Sequence, residues 1–156
     1  MRKFSSACFA VALSCSYGCI DSFEPDVGPL QKENCFNEDS NPDVDVSFSQ
    51  DIMSTFFSGV KNVYGCNACH DPIGLTPTGF EASGLDLSTY AALRAGGDRS
   101  GTGIVIPGRP CDSFLLLKTF AGPPVGGRMP LNGAPFLTTE ETQLLHDWIA
   151  EGALDN

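Results

Sequence analysis

The sequence predicts an all-α domain placed behind an export signal and an acidic tether. Three observations carry that expectation. Apolar residues recur at helical spacing at both ends of residues 47–156. Strand-like alternation is nearly absent, with only Gly103–Ile106 as a candidate. The three to four expected helices are joined by long Gly/Pro-rich loops, notably residues 122–135, and so few helices make a poor core from protein alone. The 156 residues suit one domain with a tail, and a hydrophobic content of 42% can fill a core. Nineteen acidic residues against nine basic ones give a net charge of -10, which excludes non-specific nucleic-acid binding by counterion release. After residue 20 the apolar runs are short, as in Phe114–Leu117, against the roughly 20 residues that a membrane helix needs.

Residues 1–19 read as a secretory signal. Arg2 and Lys3 form its positive start, Phe4–Leu13 is mostly apolar or small, and small residues and cysteine follow. The segment resembles a bacterial lipoprotein signal, in which cleavage leaves a lipid-modified cysteine at the new N-terminus. Cys15 and Cys19 compete for that role, and neither has the leucine expected three residues upstream. Cysteine parity favours Cys19: with Cys66 and Cys69 set aside for their own task, Cys35 and Cys111 are left to pair, and an exported chain meets an oxidising compartment. Residues 20–46 hold eight acidic residues and one basic residue, with Pro25, Pro29 and Pro42 and no apolar period. This is a solvated linker, pinned at its end if Cys35 bridges to Cys111.

The folded domain starts at Ser47. Phe48, Ile52, Phe56 and Val60 share a helical face, and Ser47 with Gln50 can form a capping box. That helix should fade near Lys61–Tyr64. Further helices are expected at Ser88–Ala95, stopped by Gly96-Gly97, and at Cys111–Phe120. The last is expected at Thr139–Glu151, with Thr138 and Glu141 as capping box, Gly152 as stop, and Leu144, Leu145, Trp148 and Ile149 as the apolar face.

Cys66-Asn67-Ala68-Cys69-His70 has the CxxCH spacing of c-type haem attachment. On a helical turn, positions i, i+3 and i+4 face one way. Two thiols can then reach two vinyl groups on one porphyrin edge, while the adjoining imidazole points at the iron. A dithiol redox site needs a βαβ setting, which the sequence lacks. Structural zinc needs four ligands, and only His146 and two distant cysteines remain to complete it. Met with His is the common axial pair of cytochromes c. Met129 is the only methionine after His70 and sits in Gly126-Gly127-Arg128-Met129-Pro130, where glycines permit close backbone approach to a flat ring. Met53 lies before the motif. His146 falls away from the apolar face of its helix and is expected to face solvent.

The chain resembles the planctomycete-type domains among the single-haem cytochromes c. The resemblance runs over residues 47–153, through FSQDI at Phe48, CNACH at 66–70, GLDLSTYAALRAGG at 84–97, IVIPGRPCDSFLL at 104–116, GGRMP at 126–130 and LTTEETQLLHDWIAEGA at 137–153. It implies a cytochrome c fold whose first and last helices cross, a haem on Cys66 and Cys69, His70 as proximal ligand and Met129 as distal ligand. Cys111 is not part of that pattern. From general chemistry, His70 should donate through Nδ1 to a backbone carbonyl, for which the loop around Pro107 is a candidate. Arg128 and Arg109 are candidates to meet the haem propionates.

The function expected is one-electron transfer by an exported, lipid-anchored carrier on the periplasmic side of a bacterial membrane or at the cell surface. Its redox partner should present a basic or neutral surface. Two alternatives stand beside it. One is a peroxidase or gas sensor with a labile distal ligand. The other is a haem-free structural lipoprotein in which Cys66 and Cys69 form a disulfide.

Overall fold

The computed structural model describes residues 34–58, 64–131, 133 and 135–156. The signal segment, Cys15, Cys19, residues 20–33 of the tether and the stretch 59–63 lie outside them.

A π-helix spans Phe48–Phe57. The Ile52 N–H donates to the Ser47 carbonyl (3.2 Å) and the Ser58 N–H to the Met53 carbonyl (2.9 Å), both five residues back. Apolar residues spaced by strict fours drift around a turn of 3.6 residues, and the wider i→i+5 turn reduces that drift. Phe48, Ile52 and Phe56 are accordingly all buried. Ser47 caps the start, its Oγ accepting from the Gln50 N–H at 3.2 Å.

Among the described residues four α-helices follow: α1 (Thr78–Ser83), α2 (Tyr90–Ala95), α3 (Phe114–Leu117) and α4 (Thr139–Ala150). Among the described residues there is no strand. The one candidate strand, Gly103–Ile106, is instead a 3₁₀ turn at Gly101–Ile104 followed by extended backbone. The Ile106 N–H finds its partner in the Ser113 hydroxyl (2.8 Å), so no second strand is needed to satisfy it. The expected helix from Cys111 to Phe120 is also broken. Pro110–Asp112 forms a 3₁₀ turn, and α3 begins only after the fully buried Ser113. Helix α2 starts at Tyr90 because the Thr89 side chain accepts from the Ala92 N–H. The Thr138/Glu141 capping box opens α4, with both reciprocal bonds formed.

The core lies where α4 packs on the π-helix and on the 110–117 segment. Ile52, Leu93, Leu116, Trp148 and Ile149 are fully buried there. The Phe48 ring sits 5.5 Å from Trp148 and packs edge-on to Tyr90 at 5.1 Å. Residues 34–46, read as the end of the tether, are fastened to this body. Cys35 is disulfide-bonded to Cys111 across 76 residues of sequence. Ser40 donates to the Asp147 carboxylate through its N–H (3.1 Å) and its hydroxyl (2.7 Å), and the Val46 N–H donates to Glu151 (2.8 Å).

Candidate haem-attachment site

Gly65 adopts a left-handed conformation (φ 49°), which turns the chain sharply into a 3₁₀ turn at Cys66–Ala68. The turn closes with the His70 N–H on the Cys66 carbonyl at 2.9 Å, so both thiols and the imidazole belong to one short unit. The loop after it folds back at once. The Thr76 N–H donates to Ala68 (3.0 Å), the Phe80 N–H to Cys69 (2.8 Å) and the Leu87 N–H to His70 (2.7 Å). Gly79 makes one of these close approaches possible, since a Cβ there would stand 2.7 Å from the His70 Nε2.

Both Cys66 and Cys69 are free thiols, with Cys69 exposed. Burial of the Cys66 sulfur pushes its thiol up to about 12, with a further push from Cys69 against an opposing backbone hydrogen bond. Burial lowers the His70 imidazole; the Leu85 backbone opposes that fall, and the Lys118 charge adds to it. The His70 Nδ1 is buried and has no hydrogen-bond partner of good geometry. An orphaned buried ring nitrogen is costly and calls for explanation.

Lys118 also organises the loop that carries Met129. Its carbonyl accepts the Met129 N–H at 2.7 Å, and its ammonium donates to the carbonyls of Val125 (2.6 Å) and Gly127 (2.5 Å). Arg128 fastens the same loop, donating from Nε to the Thr119 carbonyl (2.7 Å) and lying 3.9 Å over the Phe136 ring. Lys118 is thus bonded to the Met129 loop, and its charge reaches the His70 imidazole. Tyr64, two residues before Cys66, donates to Glu141 (2.7 Å) and the Phe136 carbonyl (2.9 Å), tying the turn to the start of α4. Burial, then the hydrogen bond to Glu141, push the Tyr64 hydroxyl up to about 12.

Other expected residues fall elsewhere. Arg109 forms a surface ion pair with Asp112 (2.9 Å), which occupies the guanidinium in a local contact. The loop around Pro107 runs against the end of α4, where the Gly108 N–H donates to the Ile149 carbonyl (2.7 Å), and the backbone beside His70 is that of Leu85. Met53 packs against the core. His146 does not face solvent: its side chain is only 12% exposed, because residues 35–40 cover that side of α4. Sequence reasoning missed Lys118, Tyr64 and Gly79. Lys118 ends an apolar run and reads as a solvated lysine, and its carbonyl and ammonium contacts depend on where a distant loop returns.

The surroundings of the site are apolar yet open. Ile73 and Leu75 on the loop after His70 are 92% and 93% exposed, and Leu131 beyond Met129 is 72% exposed. No protein family, curated protein or solved structure matches the chain.

Proposed function

We propose that the chain is an exported single-haem cytochrome c that carries one electron, built on the cytochrome c fold. One observation carries the reading. Two free thiols and an imidazole sit on a single turn, and Lys118, whose charge reaches that imidazole, holds the loop of the one downstream methionine. The donor set fits the group: Cys66 and Cys69 would hold haem through thioether bonds, with His70 and Met129 as axial ligands. When bound, the haem supplies an iron that exchanges one electron. The chain's own residues do the positioning. Gly79 leaves room for the His70 ring, Lys118 and Arg128 hold the Met129 loop, and Tyr64 fixes the attachment turn against α4. The open apolar side chains of Ile73, Leu75 and Leu131 suit contact with a porphyrin face or edge better than contact with water.

A neutral thioether favours ferrous iron, so the potential should be raised. The net charge of -10 favours partners with a basic docking patch, and such docking weakens with salt. The reading is tested by a pyridine haemochrome spectrum of protein exported by a host able to attach haem. A c-type spectrum with one haem per chain is expected, and colourless protein overturns the reading. Met129→Ala should then keep the haem and lower the potential; an unaltered potential and spectrum would remove Met129 as the ligand.

A further inference from the structure

Lys118 stands where the buried helix α3 ends and the loop that carries Met129 returns. Its N–H donates to the Phe114 carbonyl (2.9 Å), and Leu115, Leu116 and Leu117 between them are buried, so the residue is rooted in the core. Its carbonyl accepts the Met129 N–H at 2.7 Å, and its ammonium donates to the carbonyls of Val125 (2.6 Å) and Gly127 (2.5 Å). Gly126, between those two, is left-handed (φ 60°), a conformation that glycine adopts freely, and both neighbouring carbonyls meet one cation. Burial pulls the Lys118 ammonium below its ordinary range, so the carbonyls stand in for water it has lost. Hydrogen bonds from a charged donor are about twice as strong as neutral ones. Apolar packing does not fix this loop, because no described residue from 121 to 135 is buried. Hydrogen bonds therefore decide where Met129 stands.

We propose that the Lys118 side chain is a latch that keeps Met129 in place as distal ligand and so keeps the sixth coordination position closed to small neutral ligands. The inference rests on the haem reading of the Cys66–His70 turn. Lys118 acts through Met129 and is a positioning residue. A thioether sulfur is a weak, uncharged donor, so its hold depends on the loop that presents it. A latched loop gives a carrier whose ligands stay in place as the iron changes charge. An unlatched loop gives a protein that binds gases. Lys118 thus decides between the electron carrier and the alternative with a labile distal ligand. Two features make the latch testable. The Met129 N–H is held by the backbone carbonyl of residue 118, which any residue there supplies, so a substitution removes the ammonium alone. The Lys118 charge also reaches the His70 imidazole, and a cation near the iron disfavours the more positive ferric state. Loss of the latch should therefore move the potential as well as the loop.

The test compares Lys118→Leu, which loses donors and charge, with Lys118→Arg, which keeps both, in the full exported chain. Hydrogen–deuterium exchange of a peptide covering residues 122–129 reads the loop directly. It should quicken about tenfold in Lys118→Leu and return toward wild type in Lys118→Arg, while α4 exchanges alike in all three. If α4 also quickens in Lys118→Leu, the milder Lys118→Gln, which keeps a donor but no charge, is read in its place. In ferrous, haem-bearing protein, carbon monoxide should bind to Lys118→Leu about tenfold faster than to wild type. The potential should fall by about tenfold in the one-electron equilibrium, or about 59 mV. Loop exchange within about twofold of wild type overturns the latch, as do carbon monoxide binding and potential that match wild type. A c-type haem spectrum beside either result overturns this inference alone, whereas colourless wild-type protein overturns the haem reading and the latch with it.

Discussion

The half of the molecule made by the π-helix, α4 and residues 110–120 closes on itself, whereas the half around the Cys66–His70 turn does not. In the first, aromatic and branched side chains from segments far apart in sequence bury one another completely, as Ile52, Leu116, Trp148 and Ile149 do. In the second, no residue from Tyr64 to Asp86 is buried, nor is any described residue from 121 to 144. That half is held instead by hydrogen bonds from backbone to backbone and from Lys118, Arg128 and Tyr64 to carbonyls. The difference teaches how this chain separates stability from chemistry. A compact body supports a hydrogen-bonded rim, and the rim keeps its thiols, its imidazole and several apolar side chains available.

The sharpest way to break the comparison is to remove the thiols. Cys66→Ser with Cys69→Ser should abolish covalent haem completely, measured as loss of the haemochrome band and of the added mass. Cooperative unfolding of the body should survive. Loss of that folding would mean that the two halves are one unit. Next, Trp148→Ala should destabilise the body by about 3–5 kcal/mol in denaturant titration, the usual cost of truncating a fully buried aromatic. A much smaller cost would show that the body is loosely packed. Cys35→Ser with Cys111→Ser should cost about 2–5 kcal/mol, since the crosslink spans 76 residues.

A pH experiment probes the Asp147 cluster. Burial pushes its carboxyl up, but hydrogen bonds from Ser40, His146 and Gln143 outweigh it and hold the group below the ordinary range in the folded chain. Its contribution is therefore fully present above the unfolded value of about 3.9. It is lost as pH falls from there through the folded value. Asp147→Asn should therefore flatten the acid limb of the stability curve, with the wild type and variant converging as pH drops. Parallel curves would show that Asp147 carries no such linkage. The smallest effect is expected at the rim, where Leu75→Ser should change the stability of haem-free protein by no more than about 0.5 kcal/mol.

Much of the body was legible in the sequence because its signals are local. Thr138 and Glu141 cap α4 through each other, and Leu145, Trp148 and Ile149 recur on one face, so spacing alone places them in the core. That Cys66, Cys69 and His70 share one short turn was legible for the same reason, since they are neighbours in sequence. Expectations failed where a partner came from afar. Gly103–Ile106 has a strand's composition, but Ser113 satisfies its backbone. His146 points away from its own helix's apolar face, but residues 35–40 arrive to cover it.

The sequence by itself therefore determined the helical periods, the caps and the grouping of two thiols and an imidazole on the Cys66–His70 turn, because each depends on residues within a few positions of one another. Only the tertiary structure decided that Lys118 holds the Met129 loop while its charge reaches His70, and that residues 35–40 close over His146 and the Asp147 carboxylate. Both rest on where distant segments return in space, and no local pattern of residues encodes either.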